Sequence, residues 1–160
     1  MISKVNGESY RRSSESSASI GTKTIAGGAS ALSVAPFLMF EGTAEAAANL
    51  YVSLFRDSSI QKIERYGPGE NGAEGSVKQC QFMVAGLPLR CFDSPIKHAF
   101  TFTPSVSLFV DSESEAELDA AFGKLSANGT VMMPPDNYGF SSKFAWVSDR
   151  FGVSWQLNLP

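Results

Sequence analysis

The sequence PFLMFEG at residues 36–42, followed by TAEAAANLYVSLF at residues 43–55, decides the fold. Its first part is a short apolar run that predicts a β-strand, and Gly42 ends that strand. Thr43 is a favoured N-cap residue, and the apolar side chains after it recur at helical spacing: Ala47, Tyr51, Leu54 and Phe55. The stretch therefore predicts a strand followed by an amphipathic helix.

Three segments typical of strands follow this helix. They are SIQKIERYG at 59–67, SVKQCQFMV at 76–84 and LRCFD at 89–93. A loop rich in Gly and Pro separates the first two, and a turn at residues 85–88 separates the last two. The predicted order is β-α-β-β-β.

The same order returns after the connector SPIKHAFTFTP at 94–104. A strand at 105–111 leads to a capping box formed by Ser114 and Glu117, and Asn128-Gly129 closes the second helix. Three further strands are predicted within TVMMPPDNYG, SSKFAWVSD and GVSWQLNLP. The helix caps Thr43 and Ser114 lie 71 residues apart, so the chain is interpreted as a repeat of one unit.

The two units predict an α+β fold in which two β-α-β-β-β modules pair, at about residues 36–94 and 104–160. A four-stranded sheet with one helix leaves its other face uncovered, so neither module is expected to stand alone. The helices are expected to cover the outer faces, and the inner faces are expected to curve into a ligand cleft. The globular domain is predicted at 34–160, and the serine-rich residues 1–33 are predicted to be a flexible extension.

Composition excludes several classes of function. A net charge of -3 and a pI near 5.1 argue against nucleic-acid binding, and no apolar run reaches the roughly 20 residues that span a bilayer. The two cysteines, Cys80 and Cys91, are too few for a disulfide framework and are predicted to be reduced thiols. A cytoplasmic protein is expected, and basic residues among the N-terminal serines leave organelle import open.

The ordered segments together resemble the vicinal oxygen chelate superfamily of glyoxalases, bleomycin-resistance proteins and extradiol dioxygenases. PFLMFEGTAEAAANLYVSLF, IERYGPGENGAEGSVK, HAFTFTPSVSLFV and FAWVSDRFGVSWQLNL are similar to the PhnB-like branch, which often carries the label 3-demethylubiquinone-9 3-methyltransferase. The resemblance covers residues 36–160. It implies the paired-module fold and pairing of two chains into a homodimer, which would also cover open sheet edges.

The resemblance also identifies the positions that hold a metal in metal-using relatives. Those positions are Pro36, Asp93, Ser105 and Gln156 in this sequence. Proline and serine are poor ligands there, which leaves two weak donors, Asp93 and Gln156. We therefore predict no metal centre, and structural roles for Asp93 and Gln156 stay open beside ligand contact.

The period-2 alternation of strands, started from those positions, predicts the residues of the cleft. They are Leu38, Phe40, Cys91, Asp93, Ser105, Ser107, Ser154 and Gln156. Trp155 is predicted to face the helix, and Trp146 is either core or pocket wall. Such a cleft is apolar with a few hydrogen-bonding groups.

Three further features, the loop at residues 67–72, His98 and Cys91, are weaker candidates for a functional role. Residues 67–72 match G-x-G-x-x-G, but the following residues predict a strand and not a helix, so the sequence predicts a hairpin loop and no S-adenosylmethionine site. The only histidine, His98, lies in the connector with no recognisable nucleophile or acid beside it. Cys91 is either a reactive thiol or, as is more common, a small buried apolar residue.

The leading functional hypothesis is a metal-independent protein that binds a small molecule, with no cofactor and with no catalytic residue assigned. A divalent-metal lyase or isomerase of the glyoxalase type is the alternative. A third hypothesis is a resistance-type protein that sequesters its ligand. Few titratable groups in the predicted cleft favour binding over acid/base catalysis.

Overall fold

The computed structural model describes residues 32–160 of the chain. The predicted flexible extension at 1–33 lies outside the described residues, except for its last two positions. The first module contains β1 (Phe37–Phe40), α1 (Ala44–Val52), β2 (Ser59–Arg65), β3 (Val77–Val84) and β4 (Leu87–Asp93). The second contains β5 (Ser107–Asp111), α2 (Glu115–Ser126), β6 (Thr130–Asp136), β7 (Lys143–Ser148) and β8 (Ser154–Leu159).

Each module forms a four-stranded mixed sheet. The strand orders are β1-β4-β3-β2 and β5-β8-β7-β6, and the outer strands β1 and β5 pair in parallel with β4 and β8. The other neighbours are antiparallel. The predicted α+β class and its two β-α-β-β-β modules are confirmed.

The turn between β3 and β4 is shorter than predicted. Ala85 and Gly86 have φ values of 46° and 80°, which is typical of a two-residue hairpin turn of type I′. Leu87 and Pro88 therefore belong to β4. Because β4 begins two residues earlier, the hairpin pairs from Val84 and Leu87 onward.

The two helices begin with different caps. Ser114 Oγ accepts the Glu117 N–H at 3.2 Å, so the cap predicted for α2 is confirmed. Thr43 makes no side-chain cap on α1. The carboxylate of Asp93, at the end of β4, takes that role by accepting the backbone N–H groups around the start of the helix.

The modules share one core, and that core lies between their helix-covered faces. Trp155 of β8 is fully buried, with its ring centroid 5.1 Å from that of Tyr51 and 6.5 Å from that of Phe55, both from the first module. Leu118 and Leu125 of α2 belong to the same core. Trp155 therefore faces the helices, as predicted.

This packing differs from the predicted one, in which the helices lay outside and the helix-free faces met in a cleft. The helix-free faces carry exposed rings: Phe37 on the first sheet is 58% exposed and Phe109 on the second is 56% exposed. The helix-covered faces are the more apolar ones, so the chain gains more by burying them against each other. Within residues 32–160, no helix is both long and apolar enough to span a membrane.

Candidate functional site

A polar network lies on the helix-free face of the second sheet. The Ser107 and Ser154 hydroxyl oxygens are 2.7 Å apart, and the Trp146 indole N–H donates to Ser154 Oγ at 2.9 Å. The Gln156 amide donates to Ser107 Oγ at 3.1 Å. Four of the predicted pocket residues, on three different strands, are thus brought together.

Strand register builds this network. Ser107 on β5 lies beside Ser154 on β8, and Trp146 on β7 lies opposite Gln156 on β8. Residues two apart along a strand share a face, so Ser154 and Gln156 both point away from the helices, whereas Trp155 between them points into the core. Trp146 therefore lies half-buried on the helix-free face and not in the core between the helices.

The network ends in a free acceptor. Ser154 is 1% exposed and holds its neighbours in place, whereas Gln156 is half-buried at the surface. Within residues 32–160, Gln156 Nε2 has a partner but no donor reaches Gln156 Oε1. The carboxamide is therefore oriented by the protein and offers one oxygen outward.

Aromatic side chains lie on the same face. Phe144 precedes Trp146 by two residues on β7, and its ring centroid is 5.1 Å from that of Phe140. Phe140 in turn stacks on Tyr138 at 6.1 Å. Phe109 on β5 lies beside Gln156 in the β5–β8 register. The face thus combines aromatic surface with a few fixed hydrogen-bonding groups.

Four predicted pocket residues lie on the opposite, helix-covered face of the first sheet. Phe40, Cys91 and Asp93 are buried, and Leu38 packs against the core. Their predicted placement away from the helix is wrong. The strand register pairs Phe37 with Arg90 and Met39 with Phe92, so these alternate residues form the helix-free face instead.

The buried carboxylate of Asp93 accepts three backbone hydrogen bonds. Oδ1 accepts the N–H groups of Gly42 at 2.8 Å and Ala44 at 2.9 Å, and Oδ2 accepts the N–H of Val77 at 3.0 Å. Three backbone donors from three segments converge on one side chain that is 4% exposed. Asp93 is therefore a structural residue, which was one of its two possible roles.

Ser105 lies outside the network. It precedes β5 in an exposed loop, where its hydroxyl is 2.8 Å from that of Thr103 and its backbone N–H also bonds to Thr103 Oγ1. Only Ser107, the next residue of the same parity, reaches the strand.

Cys91 lies directly opposite Cys80 in the β3–β4 pair, and both thiols are free and fully buried. The hydrogen bond with Cys80 and then burial raise the pKa of the Cys91 thiol. Its sulfur is also 3.7 Å from the Ala44 carbonyl oxygen under α1. These contacts favour an inert core residue.

We expect both thiols of the folded protein to resist alkylation at pH 8, because neither is accessible and the Cys91 thiol stays protonated. Iodoacetamide followed by intact-mass measurement checks this, with the urea-unfolded chain as the control that should take up two labels. Rapid labelling of Cys91 in the native chain would show that it is reactive after all.

His98 forms hydrogen bonds with Ser94 and Glu41. Its Nε2 is 2.9 Å from Ser94 Oγ, and its backbone N–H donates to Glu41 Oε1 at 2.9 Å. Glu41 contacts the backbone of His98 and not its ring, so the arrangement differs from a Ser-His-acid triad. Ser94 four residues earlier was visible in the sequence, whereas Glu41 reaches His98 only because the connector returns to the end of β1.

The loop at residues 67–72 joins β2 to β3, two antiparallel strands. No helix begins there, as the sequence predicted, so the turn lacks the setting in which glycines cradle a cofactor. Gly72 instead lies under the ring of Tyr66, where an added Cβ would come within 2.3 Å of a ring carbon. This glycine has a packing role.

The comparisons with known proteins agree with this architecture. Residues 32–158 match the family described as 3-demethylubiquinone-9 3-methyltransferase. The chain belongs to this family. A solved structure, a putative 3-demethylubiquinone-9 3-methyltransferase or PhnB protein from Bacillus cereus, is 47% identical with a TM-score of 0.79 and covers 81% of this chain and 100% of that one.

Two more distant family or fold relatives extend the comparison. Protein YjdN of Escherichia coli (strain K12) is 25% identical over an alignment of 140 residues, and the match covers 79% of this chain and 94% of YjdN. The fosfomycin resistance protein FosX of Listeria monocytogenes, solved with Mn(II), is 10% identical with a TM-score of 0.53, over 82% of this chain and 94% of FosX. The latter likeness shows that this member of the 3-demethylubiquinone-9 3-methyltransferase family has the glyoxalase-like fold.

The residues of this family member do not fit the metal centre that the superfamily implies. Both Asp93 oxygens are engaged by backbone N–H groups beneath α1, and Ser105 lies in a loop. Gln156 alone faces outward, and the network around it contains no carboxylate or imidazole. Among residues 32–160, no three His, Cys, Asp or Glu side chains are grouped closely enough to hold a metal ion.

Proposed function

We propose that this protein binds a small molecule on the helix-free face of the second sheet without help from a metal ion. This proposal is supported mainly by the series of hydrogen bonds from Trp146 through Ser154 and Ser107 to Gln156. The series leaves Gln156 Oε1 without a donor within residues 32–160. A polar group that is already positioned loses little freedom on binding, so it contributes orientation at low entropic cost.

The groups of this face define the chemistry of the ligand. Gln156 Oε1 accepts a hydrogen bond, so the ligand carries a hydroxyl or N–H donor. The exposed ring of Phe109 and the half-buried indole of Trp146 contact an apolar or aromatic body. The hydrogen-bonded network itself contains no titratable side chain, and this favours binding or sequestration over acid/base catalysis.

A panel of aromatic alcohols, each paired with its methyl ether, tests this proposal. Trp146 is half-buried on the face, whereas Trp155 is buried on the other side, so a change in tryptophan emission reports binding. We expect the alcohols to bind and their ethers, which lack the donor, to bind more weakly. Equal binding of alcohols and ethers would contradict the assigned role of Gln156.

We further propose that two chains form a homodimer in which each copy covers the other's helix-free faces. Both faces carry exposed aromatic side chains, including Phe37, Phe109 and Phe140. In a two-fold dimer, the first sheet of one chain can lie over the second sheet of its partner twice, which encloses both sites. This arrangement would provide the cleft that a single chain leaves open.

We expect light scattering at micromolar concentration to give twice the 17.1 kDa mass of one chain. Replacing Phe37, a ring 58% exposed on the first sheet, by Asp should shift the mass toward one chain, because the charge would be buried in the interface. Glu74→Asp in the exposed 67–75 loop is the matched surface control. A wild-type mass of one chain would contradict the dimer.

We propose that residues 34–160 form the domain that carries the site. We also propose that the protein is cytoplasmic, because its two cysteines are free, buried thiols, which are compatible with a reducing compartment.

A further inference from the structure

A separate cavity of about 440 Å³ lies between β1, the 94–104 connector and the β7–β8 turn. Its volume is in the range of small-molecule sites. None of its lining residues belongs to the hydrogen-bonded network on the second sheet. A ligand bound there would be additional to the one on the helix-free face of the second sheet, so this inference goes beyond the proposed function.

The wall of this cavity is aromatic. Its apolar side chains are Phe37, Met39, Phe40, Phe100, Phe102 and Phe151. The rings are not parallel: those of Phe40 and Phe102 are tilted by 55° and those of Phe40 and Phe151 by 84°. A group in the cavity therefore meets ring surfaces from several directions, as in a cage that holds a cation by its electrostatic attraction to π faces.

One carboxylate completes the lining. Glu41 Oε1 accepts the His98 N–H at 2.9 Å, which fixes the side chain at the cavity. Within residues 32–160, no donor reaches Glu41 Oε2 and no basic side chain forms an ion pair with Glu41. The negative charge is thus anchored by the backbone and still available to a ligand.

Lys97 and Arg150, the basic side chains near the cavity, do not pair with the Glu41 carboxylate. Within residues 32–160, Lys97 lines a second cavity that Glu41 also borders, but the Lys97 ammonium group forms no ion pair with Glu41. The Arg150 guanidinium lies 4.9 Å from the centroid of the Phe151 ring, but Arg150 does not line the cavity. Phe151 is thereby already in a cation–π contact, whereas Phe100 in the connector keeps ring surface exposed at 66%.

We propose that this cavity is a binding site for an organic cation, a substituted ammonium group joined to an apolar or aromatic body. The ammonium group would lie beside Glu41 Oε2 and against the exposed ring of Phe100. The apolar body would fill the space toward Phe40 and Phe102. Thr43 and Thr101, which also line the cavity, offer hydroxyl groups to a polar substituent.

Calorimetric titration of the full chain with benzyltrimethylammonium tests the proposal, with benzylsulfonate as the anion of similar size. We expect one cation to bind per chain, more weakly as salt is raised, and no measurable binding of the anion. Failure of the cation to bind, or equal binding of the anion, would overturn the proposal.

Two variants locate the site. Glu41→Gln keeps an oxygen for the His98 N–H but removes the charge, and it should weaken binding about two- to fivefold, the worth of a partly exposed ion pair. Phe100→Leu keeps apolar volume but removes the ring, and it should weaken binding by a similar factor of about two to five.

Each variant has a matched control outside the cavity. Glu74→Gln removes a charge from an exposed loop, and Phe122→Leu removes a half-buried ring on α2, which lies neither at the cavity nor on a helix-free face. Both controls should bind the cation like the wild type. Losses in the controls equal to those in Glu41→Gln and Phe100→Leu would show nonspecific binding and overturn the assignment.

Discussion

Asp93→Ala is expected to lower the free energy of unfolding by about 3–5 kcal/mol, since each buried donor left without a partner costs about 1–3 kcal/mol. Three backbone N–H groups, of Gly42, Ala44 and Val77, depend on this one carboxylate. The loss is a large part of the 5–15 kcal/mol that is typical of a domain. Urea unfolding followed by circular dichroism measures it.

Two comparisons make the Asp93 result specific. Asp93→Asn keeps one carbonyl oxygen and the volume of the side chain, so its loss should be smaller than that of the alanine variant. Asp136→Ala, at an exposed position, should stay within about 0.5 kcal/mol of wild type. An Asp93→Ala protein as stable as wild type would contradict the structural role and would return Asp93 to the candidates for ligand contact.

Trp155→Ala is expected to destabilise the protein by about 3–5 kcal/mol, as large-to-small changes of buried aromatic residues do. The ring is fully buried against Tyr51 and Phe55 of the other module, and its indole N–H donates to Asp149 Oδ2 at 3.0 Å. Removing it opens a cavity at the junction of the modules and leaves a buried carboxylate oxygen without that donor.

The Trp155 variant also tests whether the modules unfold together. Because the ring belongs to a core built from both, urea should still produce one transition at a lower midpoint. Trp146→Ala is the matched control on the helix-free face, where the indole is half-buried, and its loss should be smaller. Two separate transitions in Trp155→Ala, one at the wild-type midpoint, would contradict a shared core.

The elements could be predicted because each module carries its own local signals. Gly42 has a φ of 94° at the end of β1, and Asn128 has a φ of 59° after α2, so the residues interpreted as stops occupy backbone conformations that end an element. The Ser114 cap was equally local. Thr43 was a poor guide because a carboxylate 50 residues later in the chain took its place, and no local pattern reports such a contact.

The direction in which side chains point was predictable on one sheet and not on the other. β8 alternates clearly, with Ser154 and Gln156 on one side of Trp155, so its faces could be assigned. β1 has the sequence FLMF and is apolar on both faces, so its pattern does not indicate which side chains face the helix. An error of one residue in its alignment moves every side chain to the other face.

Asp93 was also assigned to the wrong face, because a carboxylate is expected at a surface or in a binding site and not in a core. Its burial is explained by three backbone donors that come from the β1–α1 loop, α1 and β3. The packing of the helix-covered faces against each other was also missed, because the sequence shows which residues are apolar but not which of two apolar sheets they meet.

A metal-independent site at Gln156 is tested most directly by the dissociation constant of the tightest-binding aromatic alcohol, measured in EDTA for wild type, Gln156→Leu and the control Gln61→Leu on β2. We expect tight binding in EDTA by wild type and Gln61→Leu, and binding at least about fivefold weaker in Gln156→Leu, the equivalent of about 1 kcal/mol for one hydrogen bond. Equal affinity in all three proteins, or binding that appears only when Mn, Ni, Zn or Fe is added, would contradict a metal-independent site at Gln156.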